Sequence, residues 1–276
     1  MHKEDETMAG RLEDRVGIIT GGASGIGRAC ALRFAEEGAD IVVADLDETR
    51  GAETVAAVKA LGREAVFVRT DTSKEADCEA LAEAALARFG KIDALVAAAG
   101  ISHALYVSGE AAGEVRGDRD ASLLLNKPTE YWEKVIDVNL TGVMLTDRAV
   151  ARRMVASGRP GSIINIASGA AKIPLVGAAD YCVSKAGVWM LTKVLALEVA
   201  RYQVRVNAIG PGFIETPMTA SLRSDEDRTR SIINNTPLGR LGQPLDIANT
   251  ALFLASDESS FFTGEIIFPD GGLFTG

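Results

Sequence analysis

Seven short apolar runs, separated by long stretches of helical periodicity, constrain this 276-residue chain more than any other feature. They are Val16 to Thr20, Ile41 to Ala44, Ala65 to Arg69, Ala94 to Ala98, Ser162 to Ile166, Val204 to Ile209 and Ile266 to Phe268. A half-exposed strand alternates apolar and polar residues. These runs do not, which is how strands buried on both faces read. Helical patterns fall between them, near 25–38, 48–61, 73–89, 129–157, 178–202 and 245–255. Strand and helix in alternation, joined by right-handed crossovers, give an α/β fold with a doubly wound parallel sheet and helices on both faces. No repeat, low-complexity tract or linker divides the chain, so one domain is expected. Ser73, followed by Glu75 and Asp77, reads as the N-cap of the third helix. Gly38, Gly62 and Gly90 read as left-handed helix stops.

Hydrophobic residues make up 47% and charged ones 24%, enough to bury a substantial core. A net charge of -9 argues against nucleic acid and anionic membrane as partners, because both are held by lysine and arginine patches. No apolar run reaches the length of a membrane span. Residues 1–10, MHKEDETMAG, lack the apolar centre of a signal peptide and are expected to be a disordered polar leader. The three cysteines, Cys30, Cys78 and Cys182, include no CxxC pair, so free thiols and a reducing cytoplasm are expected. Of two histidines, His2 lies in the leader. No metal site and no serine–histidine triad is expected, and His103 is left as a lone candidate near substrate.

The first apolar run enters a helix through Thr20-Gly-Gly-Ala-Ser-Gly-Ile-Gly27. Glycines there permit a tight turn and close backbone approach to a pyrophosphate, and the helix N-terminus favours the anion. Asp45 closes the second strand, 18 residues past Gly27. A carboxylate at that place accepts hydrogen bonds from ribose hydroxyls and repels a 2′-phosphate. Leu46 follows, and no arginine or lysine adjoins, so NAD(H) is expected over NADP(H). Asp71, after the third strand, is placed either to meet an adenine amino group or to cap a helix.

Tyr181 and Lys185 stand four apart in a helical pattern, on one face. A phenol titrates near pH 10. A cation about 5 Å away, at an effective dielectric of about 20, would favour phenolate by roughly 3 kcal/mol. The expectation is therefore a Tyr181 pKa lowered by about two units, which poises it as an acid or base. Ser168 ends the fifth strand 13 residues upstream, where its hydroxyl could hold a substrate oxygen. Asn139, in an apolar stretch, is either a helix irregularity helped by Gly142 or part of a water-bridged relay behind Lys185. The helix holding Tyr181 is apolar on nearly all sides, which requires cover on all sides, one of them from another subunit.

With these motifs in place, the chain closely resembles the short-chain dehydrogenase/reductase family. The resemblance runs from about Arg11 to Gly276. It rests on the glycine loop, on Ser168 with Tyr181-x-x-x-Lys185, and on Asn207-Ala-Ile-Gly-Pro-Gly212. It implies a single Rossmann-type domain of about seven strands over residues 11–276. It implies a catalytic set of Asn139, Ser168, Tyr181 and Lys185. Tyr181 would exchange the proton, Lys185 would lower its pKa and hold the nicotinamide ribose, and Ser168 would orient the reacting oxygen. Cofactor contacts are implied for Gly21, Ser24, Gly25, Ile26, Gly27, Asp45, Leu46, Asp71, Thr72, Ala98, Gly100, Tyr181, Lys185, Pro211, Gly212, Ile214 and Thr216. A homotetramer is implied too. The activity expected is an NAD-dependent interconversion of a secondary alcohol and a ketone. Two alternatives stand beside it: an NAD-sensing or scaffold protein without catalysis, and an isomerase or dehydratase using bound NAD.

Two segments depart from the plain pattern. Where the family usually carries Asn-Asn-Ala-Gly, this chain has Ala97-Ala-Ala-Gly100. Residues 103–127 form a long polar insert, read either as a lid or subunit contact or as a surface loop. Residues 213–237, with Phe213 and Met218 as substrate candidates, read either as a flap over substrate or as a surface helix. No clear basic cluster demands an acyl-carrier or coenzyme A thioester as substrate, though Arg148, Arg152 and Arg153 could contribute on a helix face.

Overall fold

The computed structural model describes residues 10–106 and 119–274. The expected leader and the stretch 107–118 of the expected insert lie outside the described residues, apart from Gly10. Seven strands form one parallel sheet: β1 Val16–Thr20, β2 Asp40–Asp45, β3 Ala65–Arg69, β4 Ala94–Ala97, β5 Gly161–Ile166, β6 Val204–Ile209 and β7 Ile266–Ile267. Their spatial order is β3-β2-β1-β4-β5-β6-β7. The helices are α1 Gly25–Glu36, α2 Glu48–Ala60, α3 Glu75–Phe89, the one-turn α4 Arg119–Ser122, and α5 Thr129–Ile136. They continue with α6 Gly142–Ser157, α7 Ala179–Val199, the one-turn α8 Ala220–Arg223, α9 Glu226–Asn235 and α10 Pro244–Ala255.

Each central strand buries both faces, and successive residues serve opposite cores. Ile18, Leu95 and Ile163 pack under α3, α6 and α7 with Leu81, Val150 and Val188. Their chain neighbours Ile19, Val96 and Ile164 pack under α1 and α10 with Phe34, Ile247 and Leu252. This is why the strands read as continuous apolar runs. The strand order reverses between β1 and β4, so the chain leaving β1 and the chain leaving β4 diverge to opposite faces and open a crevice at their carboxyl ends.

The helical pattern over 129–157 is present as one continuous helical run, with a π-turn at Asp137–Thr141 between α5 and α6. One local expectation is corrected. Ser73 is not the cap of α3. Asp71 Oδ1 accepts from the Ser73 amide at 3.0 Å and its hydroxyl at 2.6 Å, drawing the serine into a turn, and Lys74 takes the cap position. Gly38, Gly62 and Gly90 do take left-handed angles, φ +95, +81 and +72. Arg148, Arg152 and Arg153 pair with Glu75, Glu79 and Glu83 of α3, so that face binds its own carboxylates.

Candidate active site

The crevice is floored by the glycine loop. Gly21 turns at φ +65, and a Cβ there would lie 2.9 Å from the Ala98 carbonyl oxygen. A Cβ on Gly27 would lie 2.1 Å from the Gly21 carbonyl oxygen, which only glycine avoids. Ser24 caps α1 with extended angles but gives it no side-chain hydrogen bond. By contrast, the side chains of Asp47 and Asp225 cap α2 and α9. The first-turn amides of α1 are therefore left for a ligand, and the helix end favours an anion. Ser24, Gly25, Ile26 and Gly27 line the cleft opposite Ala98 and Gly100. Thr20 Oγ1 accepts from the amides of Ala98 and Ala99 at 3.1 and 3.2 Å, fixing the exit of β4 without the family's asparagines.

Asp45 is buried beside that loop. Its Oδ2 accepts from Ala23 N at 3.0 Å, and its Oδ1 from Leu46 N at 2.7 Å and Asp47 N at 3.1 Å. One carboxylate thus holds the glycine loop against the end of β2. Asp45, Leu46, Asp71 and Thr72 line a second cavity that shares Gly21, Gly100 and Ile101 with the first. The two together form a groove long enough to pass from β3 to β5, across the point where strand order reverses.

At the far end of the groove stand Ser168, Tyr181 and Lys185. The Ser168 hydroxyl stands near enough to Tyr181 to lower its pKa, and accepts from Ala170 N at 3.1 Å. Lys185 Nζ lies 5.8 Å from the centre of the Tyr181 ring and donates to the Ile166 carbonyl at 2.9 Å. Asn139, wholly buried, does not face the cleft. Its Oδ1 accepts from Ile101 N and its Nδ2 donates to Ile101 O, each at 2.8 Å. It sits in the π-turn, so the irregularity read from sequence is present, and its amide clamps the chain leaving β4.

The expected pKa of Tyr181 is corrected in direction. Burial pushes its phenol above the ordinary value, and the Ser168 hydroxyl pulls it back only in part. Burial also pushes Lys185 down to about 8. Taking both groups from water costs more than their mutual attraction returns at this separation. The helical spacing brings the pair together, and desolvation reverses the direction of the shift.

Pro211, Gly212, Ile214 and Thr216 reach the cleft, as does Met218. Phe213 does not. It lines a neighbouring cavity with Leu238, Arg240 and Pro269, because the extended chain at Ile214 turns alternate side chains to opposite sides. His103 also stands back from the lining. Its ring meets Tyr106 edge-on at 6.2 Å, its Nδ1 is buried with no partner among the described residues, and burial lowers its pKa. The sequence reading missed Ile101, Tyr106, Ile166, Ala167, Pro217 and Thr219, which complete the wall. Tyr106 and Met218 belong to one small apolar cluster, a contact between segments over a hundred residues apart that no local pattern signals.

The arrangement can bind a dinucleotide along the groove, hold an oxygen between two hydroxyls, and exchange a proton with it. A family model described as "Enoyl-(Acyl carrier protein) reductase" matches residues 21–274. The chain is 41% identical to 2,5-dichloro-2,5-cyclohexadiene-1,4-diol dehydrogenase LinX of Sphingobium indicum, over 98% of this chain and 100% of that one. It is 40% identical to 3beta-hydroxysteroid dehydrogenase 1 of Eggerthella lenta, over 95% of this chain and 94% of that one. The crystal structure of a short-chain type dehydrogenase/reductase from Mycobacterium marinum is similar with TM-score 0.85 and 33% identity, covering 96% of this chain and 97% of that one.

Proposed function

The chain belongs to the short-chain dehydrogenase/reductase family, and from that premise we propose that it interconverts a neutral cyclic secondary alcohol and its ketone, with Tyr181 carrying the proton. The observation that carries this reading is the meeting of Ser168, Tyr181 and buried Lys185 in one cleft, the same cleft as an uncapped helix N-terminus. The glycine loop fits a dinucleotide: its amides are unclaimed by a cap, and Cβ atoms at Gly21 and Gly27 would close on backbone. When bound, the dinucleotide supplies or takes up the hydride. Lys185 and the α1 N-terminus would hold its ribose and phosphates. Ser168 would hold the reacting oxygen by hydrogen bond, and Tyr181 would give or take the proton there. Ile101, Tyr106 and Met218 make the substrate end of the wall apolar. That wall favours an uncharged ring, in keeping with the diol and steroid named for two relatives. Residues 213–237 would cover it as a flap.

Replacing Tyr181 by phenylalanine should cut turnover roughly 10²- to 10⁴-fold on a panel of cyclic alcohols followed by nicotinamide absorbance. Dinucleotide binding should persist. A phenylalanine variant that turns over like wild type would rule the mechanism out.

We assign NAD(H) as the preferred cofactor, on the buried carboxylate of Asp45 at the ribose end of the groove. Calorimetric titration should give at least about tenfold tighter binding of NAD(H) than NADP(H), the cost of placing a phosphate by a carboxylate that has no cation paired with it among the described residues. Equal affinities would remove that role. Asp45→Arg should narrow the ratio and also loosen the fold, since three amides lose their acceptor. We further propose a homotetramer, and a reducing cytoplasm as the place of work, the latter supported by three free thiols. No helix among the described residues is long and apolar enough to cross a membrane.

A further inference from the structure

The most buried ion pair among the described residues stands outside the cleft. Lys127 Nζ lies 2.6 Å from Asp180 Oδ1, with the two side chains 9% and 3% exposed. Asp180 lies in the first turn of α7 immediately before Tyr181, and its Oδ1 also accepts from the Tyr181 amide at 2.9 Å. A carboxylate in the first turn of a helix is favourable by itself. The buried lysine is not, since sinking both charges commonly costs more than their attraction returns. What the lysine adds is a connection. Lys127 lies two residues ahead of α5, and Asn139 lies in the π-turn that follows α5. Asn139 Nδ2 donates to Ser184 Oγ at 3.3 Å, and Ser184 Oγ donates to the Tyr181 carbonyl at 2.8 Å. Both backbone polar groups of Tyr181 are thus tied to residues that flank the same short helix, α5. Its N–H is tied through Asp180 to Lys127 at one end, and its C=O through Ser184 to Asn139 at the other.

From this double tie, and resting on the proton-transfer reading above, we infer that Lys127 and Asp180 are positioning residues that set Tyr181 for its task. Neither touches the groove. The ion pair fixes how far the first turn of α7 stands from α5, and so where the phenol meets Ser168. A tie at the Asn139 end alone would leave the start of α7 free to swing about Ser184.

The test uses the whole chain labelled with ¹³Cζ-tyrosine. Four tyrosines give few lines, and Tyr181→Phe identifies the one that matters. In Lys127→Met the Tyr181 line should shift or broaden, while those of Tyr131 and Tyr202 stay in place. The kcat should fall about tenfold or more, as expected for a displaced catalytic group, with KM and dinucleotide affinity unchanged. Lys127→Arg should restore both the line and kcat. An unmoved Tyr181 line in Lys127→Met, or an arginine variant that behaves like the methionine one, overturns the inference. Should Lys127→Met not fold, the double variant Lys127→Met with Asp180→Asn, which buries no lone charge, is read by the same criteria. The resonance reports the setting of Tyr181 whether or not any alcohol is oxidised. A wild-type protein without turnover therefore sinks the proposed reaction, and an unmoved line sinks the positioning role.

Discussion

Lys185 gives up nearly all of its water for one backbone partner, the carbonyl of Ile166. Its pKa accordingly falls to about 8, against 10.5 for a solvated lysine. The consequence for stability has a definite sign. Between about pH 8 and 10.5 the unfolded chain holds a proton that the folded chain has released, so stability rises with pH across that window. Below it both states are charged, and the folded state carries the full cost. Lys185→Met should therefore abolish turnover yet stabilise the protein at pH 7, by up to about 3 kcal/mol at roughly 1.4 kcal/mol per unit. The gain should shrink as pH climbs toward 10. Urea unfolding at both pH values checks it, and a variant less stable than wild type at pH 7 would remove the cost assigned to the ammonium. At this scale the sequence was informative about partners and silent about their energies. Tyr181 and Lys185 share a helix face by their spacing alone, but their pKa values follow from what the rest of the chain packs over them.

The π-turn at Asp137–Thr141 shows where element boundaries escape the sequence. It adds its residue without disturbing the apolar pattern, so 129–157 reads through as one helix. Only the buried polar residue inside it, Asn139, gives a sign. Its buried amide pairs both with the N–H and with the C=O of Ile101, joining the π-turn to the chain that leaves β4. Asn139→Ala would orphan two buried backbone groups, at about 1–3 kcal/mol each. It should therefore destabilise the protein by roughly 2–5 kcal/mol. Chemical denaturation measures this directly, and a loss below about 1 kcal/mol would mean that water takes the amide's place. Gly142 follows for a steric reason: a Cβ there would sit 3.0 Å from Thr72 Oγ1 and 3.1 Å from its carbonyl. Asn207 works in the same manner on the other side of the sheet. It donates to Phe262 O at 2.9 Å and accepts from Glu265 N at 3.1 Å, leading the chain into β7. Motifs that served to recognise the family thus prove to be joints between elements.

Over the whole molecule, α7 leaves Val183, Met190, Val194 and Leu197 exposed, at 48%, 59%, 47% and 85%. Their spacings of seven, four and three set them along one side of the helix. A stripe of that kind marks a face meant for contact, and a second copy of α7 is the partner we propose. Val194→Glu with Leu197→Glu should reduce the sedimenting mass to a smaller assembly, with the far-ultraviolet spectrum kept. A pair of glutamates that leaves the mass unchanged, or a wild-type monomer, would discard the assembly. The sequence by itself determined the sheet, its layers, the glycine loop and the shared helix face of Tyr181 and Lys185, because each follows from periodicity or short-range geometry. The place of Ser168 beside that pair was implied by the family resemblance. Only the tertiary structure decided that Phe213 turns away, that His103 stands back while Tyr106 walls the cleft, and that Lys127 reaches Asp180. Those outcomes depend on segments far apart in the chain meeting in space. They depend equally on how much water that meeting excludes, and neither quantity is written in any local run of residues.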